Sequence, residues 1–336
     1  MARPELQDLL DRARKLVNSQ TADALSLALR ARDLAVADGD RYAEAEALNL
    51  SAQSMALFGQ YADALDTLLR VMDLGSQIDI GTQHGMALQL IARSHYTQAD
   101  YEAATDCWLA CIELPRQTVS AVDQVQAHIG LGQVLFANEQ YEAALAHHRR
   151  AAELSENCDD VTLMAASLIN IAVDQQYLGH FVDALDALKQ ALPLVRAAQH
   201  YEFEAEIYGI IGQIQFARGE VAKARMSLRV ALKINRLHNH LWGEANDLLW
   251  LGHCSITDGL LEAARDELLR AMQLAEAMGT QNLTARIHLA LSTLYMALES
   301  PEESLAHIAA YQNMQQDIIN TITSSRFASM ELRLND

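Results

Sequence analysis

A forty-residue period governs this chain and decides what it can fold into. Cut at 41, 81, 121, 161, 201, 241 and 281, the sequence falls into blocks that align without insertion. Block position 24 reads Ala64, Ala104, Ala144, Ala184, Ala224, Ala264 and Ser304, and position 12 reads Ala52, Ala92, Gly132, Ala172, Gly212, Gly252 and Ser292. Position 21 reads Tyr61, Tyr101, Tyr141, Phe181, Val221, Leu261 and Pro301. The first forty residues keep the register through Ala24, Leu25, Ala28, Ala31 and Leu34, so eight blocks precede a tail of sixteen residues. Self-similarity at this period marks an array in which each unit buries its apolar face only against its neighbours.

Within a block, apolar residues recur at spacings of three and four, as in Leu48, Ser51, Ala52, Met55 and then Ala64, Leu65, Leu68, Val71, Met72. That is the period of a helix, not of a strand. Gly59, Gly179, Gly219 and Gly259 punctuate the middle of blocks, and Asp38-Gly39-Asp40, Asn157-Cys158-Asp159-Asp160 and Met278-Gly279-Thr280 separate one block from the next. Each block is therefore expected to be a helical hairpin. The small residues at positions 12 and 24 mark where the two helix backbones come closest.

The pattern in Leu131-Gly132 followed by Tyr141-Glu142-Ala143-Ala144-Leu145 resembles the tetratricopeptide repeat family, whose hairpins carry a Leu-Gly pair, an aromatic residue opening the second helix and a small residue three positions later. The resemblance covers about residues 20–316. It departs from the commonest form in its forty-residue length and in largely lacking a proline near the end of the second helix. Long repeats of this kind resemble those of Rap-type regulators and the kinesin light chain. The resemblance implies an all-α solenoid, a right-handed superhelix of about eight hairpins over residues 1–316, with first helices on the concave side. A capping or connector helix is expected over residues 317–336.

Block positions 6, 9, 10, 13 and 17 then line the groove, which would hold Glu46, Asn49, Gln53, Gln89, Arg93, Gln126, Gln133, Asn170, Tyr177, Glu206, Gln213, Asn246, Trp250, His253 and Arg286. Amides both donate to and accept from an extended peptide backbone, and Tyr177 and Trp250 offer anchors for a ligand side chain. Asn170 stands where the family's grooves place a peptide-binding asparagine. The family's carboxylate clamp draws several cations from consecutive repeats. This groove has Arg93 and then Arg286 far along the chain, so such a clamp is not expected.

Charge narrows the partner. With 25 Lys+Arg against 44 Asp+Glu the formal charge is −19, which disfavours nucleic acid and anionic membrane surfaces and favours a neutral or basic protein segment. The start has no apolar signal region, no uncharged stretch is long enough to span a membrane, and four cysteines are too few for a disulfide framework. A cytoplasmic protein with free thiols is expected. Cys107 and Cys111, four apart on one helix, read as core residues. His147-His148 reads as a solvated convex face and His238 and His240 as loop residues, so neither metal nor cofactor is expected. No phosphate loop, nucleophile elbow or metalloprotease pair is present in the sequence, and no catalytic residue is assigned.

The tail has neither Gly nor Pro after Pro301. Its sequence from Ile318 to Leu334 resembles the connector that follows sensory repeats in bacterial signalling proteins such as diguanylate cyclases. Ile318, Ile322, Phe327 and Met330 are its candidates for self-association, which makes a homodimer the alternative to a groove ligand.

Overall fold

The computed structural model describes residues 4–158 and 160–334, with side chains as far as Ile318 in the last helix. Helices alternate with short turns, and no strand occurs among the described residues. The chain forms two compact units, Met1–Asp159 and Asp160–Asp336. The first holds α1 (Pro4–Leu16), α2 (Thr21–Asp38), α3 (Arg41–Leu57), α4 (Tyr61–Gln77), α5 (Gln83–Thr97), α6 (Tyr101–Glu113), α7 (Ala121–Ala137) and α8 (Tyr141–Ser155). The second holds α9 (Val161–Tyr177), α10 (Phe181–Ala197), α11 (Tyr201–Ala217), α12 (Val221–Leu237), α13 (Leu241–Thr257), α14 (Leu261–Met278), α15 (Gln281–Ala297) and α16 (Pro301–Leu334). Odd-numbered helices are the first of each hairpin and even-numbered ones the second.

Every hairpin after the first closes in the same way. At block position 19 the backbone enters the left-handed region, whether the residue is Gly59, Ala99, Glu139, Gly179, Gly219, Gly259 or Glu299. The next amide then reaches back five residues, as in Gln60 N–H to Met55 O at 3.0 Å, Glu220 N–H to Gln215 O at 2.8 Å and Ser300 N–H to Tyr295 O at 2.9 Å. This 6→1 bond satisfies a carbonyl that the helix end leaves open. Starts are capped individually. The Asp40, Asp100 and Asp160 carboxylates accept backbone N–H bonds, and Ser120 with Asp123 forms a reciprocal capping box.

The small columns do meet. A Cβ added at Gly212 would lie 2.6 Å from Cγ of Leu228 and 3.2 Å from the Ala224 carbonyl, and one at Gly252 would lie 2.6 Å from Leu268. Position 12 therefore packs under position 28 and beside position 24. In the last hairpin Ser304 fills that gap with a hydroxyl that donates to Ser292 O at 2.9 Å. Within each unit, first helices of adjacent hairpins touch directly, α3 with α5 and α5 with α7, α11 with α13 and α13 with α15. Second helices sit against first helices, burying Ala64, Leu68 and Val71 in one hairpin and Ala264, Leu268 and Ala271 in another. The first helices thus crowd together and present a shared polar face.

The last second helix continues without a break to Leu334. Ile318 is half-buried, whereas the side chains of Ile322, Phe327 and Met330 lie outside the described residues. Two histidine expectations are corrected. His148 is buried in the column that holds Leu68, Leu188 and Leu228 elsewhere, its Nε2 3.3 Å from Ile129 O, because Gly132 leaves room for the ring. His147 turns toward α7 and meets His128.

Candidate functional site

In the first unit the polar faces of α3, α5 and α7 enclose a cavity of about 310 Å³, lined by Gln53, Gln89, Arg93 and Gln126 together with Thr82, Gln83, Met86, Leu90, Ser120, Val122 and Asp123. Four of the residues expected to line the groove therefore converge. Of these, Gln53 and Gln126 are half-buried and Arg93 is exposed, and no side-chain bond occupies them among the described residues. Gln133 is likewise half-buried with its amide open.

Asn49 and Gln89 serve a different purpose. Asn49 is fully buried and its amide donates to the backbone and side-chain oxygens of Gln83, both at 3.0 Å. Gln89 is buried too, and its side-chain oxygen accepts the Trp108 indole N–H at 2.7 Å. These two amides tie helices together and offer a ligand little. Column 9 carries the signal that would have separated them, since it reads Ile129, Ile169 and Leu249 elsewhere. Asp123 adds a carboxyl to the cavity wall. Burial raises its pKa, opposed by the Ser120 hydroxyl, which donates at 2.6 Å.

In the second unit the aromatic and cationic residues assemble. Trp250 meets Phe216 edge-on at 5.8 Å and His253 at 5.4 Å between ring centroids. Arg286, one hairpin on, donates to the Asn246 side-chain oxygen at 3.3 Å. Burial, with Arg286 adding its positive charge, lowers the His253 pKa to about 4, so the ring is neutral at pH 7. Burial also lowers the Arg286 pKa, and the nearby Tyr177 phenol opposes that shift. No carboxylate pairs with Arg286 among the described residues, and the buried indole N–H of Trp250 has no acceptor.

The remaining expected residues of this unit lie on α9 and α11. Tyr177 is exposed. Gln213 is half-buried and accepts from the Gln176 amide at 3.4 Å. Asn170 is half-buried, and its amide donates back to Ala166 O at 3.0 Å, which leaves its side-chain oxygen for other donors. Glu206 is reached by water, yet the protein crowded round it desolvates the carboxylate and Glu202 repels it, raising its pKa to about 7. The arrangement presents donors at Arg286 and Trp250, with His253 and the amides of Asn246 and Gln213 on the first helices of this unit.

Comparison with known proteins agrees with this architecture. Residues 123–197 match the family described as Tetratricopeptide repeat. The same columns recur in the hairpins on either side, so the matched segment is similar to tetratricopeptide repeats and the chain as a whole is an all-α array of helical hairpins. It is 22% identical over 191 residues to the 43 kDa receptor-associated protein of the synapse from Tetronarce californica, a match covering 56% of this chain and 46% of that protein. The chain thus spans less than half of that relative. A Rap protein complexed with Competence and Sporulation Factor superposes with a TM-score of 0.66 at 13% identity, covering 95% of this chain and 100% of the other. NprR in complex with its cognate peptide NprX superposes at 0.60 and 14% identity, covering 82% of each. At such identities the likeness is one of fold.

Proposed function

We propose that the chain is a non-catalytic regulatory module that captures a peptide or protein segment along the polar face of its first helices, in a cytoplasmic bacterial signalling setting. The observation that carries the reading is the pairing of Arg286, half-buried without a counter-ion, with the unpartnered indole N–H of Trp250. A desolvated cation and a buried unpartnered donor each call for an acceptor, because an unmet donor and an unpaired charge each carry a desolvation penalty. The ligand therefore brings a carboxylate to Arg286. The net charge of −19 then favours neutral or basic residues on either side of that carboxylate. Structures of similar fold are described as a complex with a peptide and as a complex with Competence and Sporulation Factor, which supports the same class of ligand. No helix among the described residues is long and apolar enough to cross a membrane, and Cys107, Cys111, Cys158 and Cys254 form no disulfide, in keeping with a reducing compartment.

The test is selection from a random-peptide library on the intact protein, followed by affinity measurement of the selected peptides. Arg286→Gln is expected to weaken binding by at least tenfold, and amidation of the peptide's anchoring carboxylate to weaken it equally. Trp250→Ala should also weaken it. Peptides that bind the Arg286→Gln variant as well as the parent would refute the assignment.

A further inference from the structure

Block positions 8 and 27 hold histidine in only two blocks, and in both blocks at both positions: His128 with His147, and His288 with His307. Elsewhere position 8 reads Leu48, Leu88, Leu168, Tyr208 and Leu248, and position 27 reads Thr67, Cys107, Ala187, Ser227 and Glu267. Two columns that change together, twice, specify a pair. In the fold each pair spans its hairpin, and the two Nδ1 atoms face each other at 3.0 Å in the first and 2.8 Å in the second. The sequence does not reveal this, because the partners are 19 residues apart and on different helices.

We propose that each histidine pair is a binding site for one divalent transition-metal ion, copper or nickel ahead of zinc, held through the two facing Nδ1 atoms. Metal–imidazole bonds of about 2.0–2.1 Å put two ligands at right angles about 2.8–3.0 Å apart, the separation seen in both pairs, whereas tetrahedral zinc needs about 3.3–3.4 Å. The geometry selects square or tetragonal ions, and the general affinity order of nitrogen sites places copper first. All four rings are only partly buried, so the remaining coordination positions stay open to water or to groups of a partner.

The surroundings rank the two sites. Around the first pair stand Arg150, whose charge bears on His128, and His148, which bears on His147 but keeps its own Nε2 at Ile129 O. Around the second stands Glu276, a carboxylate that favours positive charge at His288, while Tyr295 stacks on His307 at 5.3 Å and fixes the ring. The ion is therefore held more tightly by His288 and His307.

The test is calorimetric titration of the intact protein with Cu²⁺, Ni²⁺ and Zn²⁺ in a glycine-buffered solution that suppresses adventitious binding. One ion per pair is expected, with Cu²⁺ tightest and Cu²⁺ spin resonance reporting two imidazole nitrogens. The fifth block already carries Leu168 and Ala187 at these positions, so His288→Leu with His307→Ala, and His128→Leu with His147→Ala, should both fold, as circular dichroism will show. Each double variant should lose one ion, the tighter being lost with His288 and His307. No saturable binding, or a stoichiometry that neither variant changes, would overturn the proposal and leave the pairs as neutral hydrogen-bonded clips.

Discussion

Ala99, Glu139 and Glu299 sit at φ of 62°, 60° and 59°, at the position where the other complete hairpins place glycine. A left-handed residue with a Cβ costs roughly 1–2 kcal/mol, and glycine gives part of that back through the freedom it adds to the unfolded chain. Ala99→Gly and Glu139→Gly should therefore stabilise by about 0.5–1 kcal/mol each, and Gly179→Ala should destabilise by a similar amount, all read from thermal melts. A lowered melting temperature in either glycine variant would show that the turn is not strained. Charge at single residues sets the pH response. Asp247 is buried, accepts from the Asn235 amide at 2.8 Å and is pushed up to about 8 chiefly by burial, with Glu244 adding repulsion. An unfolded aspartate titrates near 3.9, so between about pH 4 and 8 the folded chain holds a proton that the unfolded chain has released. Raising the pH through that window destabilises the fold. His128 and His253, lowered to about 4, act oppositely, and their penalty grows as pH falls below about 6.5. From pH 6.5 to 8.5 the raised carboxyls act, Glu206 contributing at about 7, and toward pH 8.5 the buried thiols of Cys111 and Cys254, pushed up to about 12 and about 11, act in the same direction. The melting temperature is expected to fall over that range, and to fall less in Asp247→Asn. An equal fall in the variant would remove Asp247 as the cause.

The hairpin is the element in which the sequence was most legible. First helices begin at block position 1 and second helices at position 21 in nearly every block, as with Arg41 and Tyr61 or Leu241 and Leu261, because turn residues, caps and the small columns coincide there. The close approach predicts its own test. Gly212→Val would drive a branched side chain into Leu228, already 2.6 Å from a bare Cβ, and overpacking of this kind typically costs about 1–3 kcal/mol. Ala172→Gly, which leaves the approach open, should cost about 1 kcal/mol, the helix-interior propensity difference. Denaturant melts that ranked the two the other way would contradict the packing. The groove was only partly legible for the same geometric reason. Position 13 points away from the helix partner and gave open amides at Gln53 and Gln133, whereas position 9 lies at the edge of the core and turned Asn49 and Gln89 into internal bridges. Pairs that form only across the hairpin, His128 with His147 or Ser292 with Ser304, follow from which faces meet, and periodicity within one helix does not report that.

At the scale of the whole chain, a repeat array has nearly one-dimensional energetics, since each hairpin gains its stability from itself and its neighbours. The sequence reads as one uninterrupted series of blocks, yet the contacts gather into two compact units, Met1–Asp159 and Asp160–Asp336. About three repeats are needed for an array to be stable, and the second unit holds four hairpins, α9 to α16. One apolar cluster, from Ala224 and Leu228 through Leu249 and Leu268 to Leu291 and Leu294, lies entirely within this unit. The fragment 160–336 is therefore expected to fold by itself, with a helical circular dichroism spectrum and a cooperative melt. Because Trp250, His253, Asn246 and Arg286 all belong to it, it should also keep the affinity of the intact chain for a peptide anchored at Arg286. A fragment that folds but binds at least tenfold more weakly would show that residues before 160 contribute to binding and would refute the assignment of the whole site to this unit. A fragment that stays unfolded at concentrations where the intact chain is native would show that four hairpins do not suffice at this repeat length.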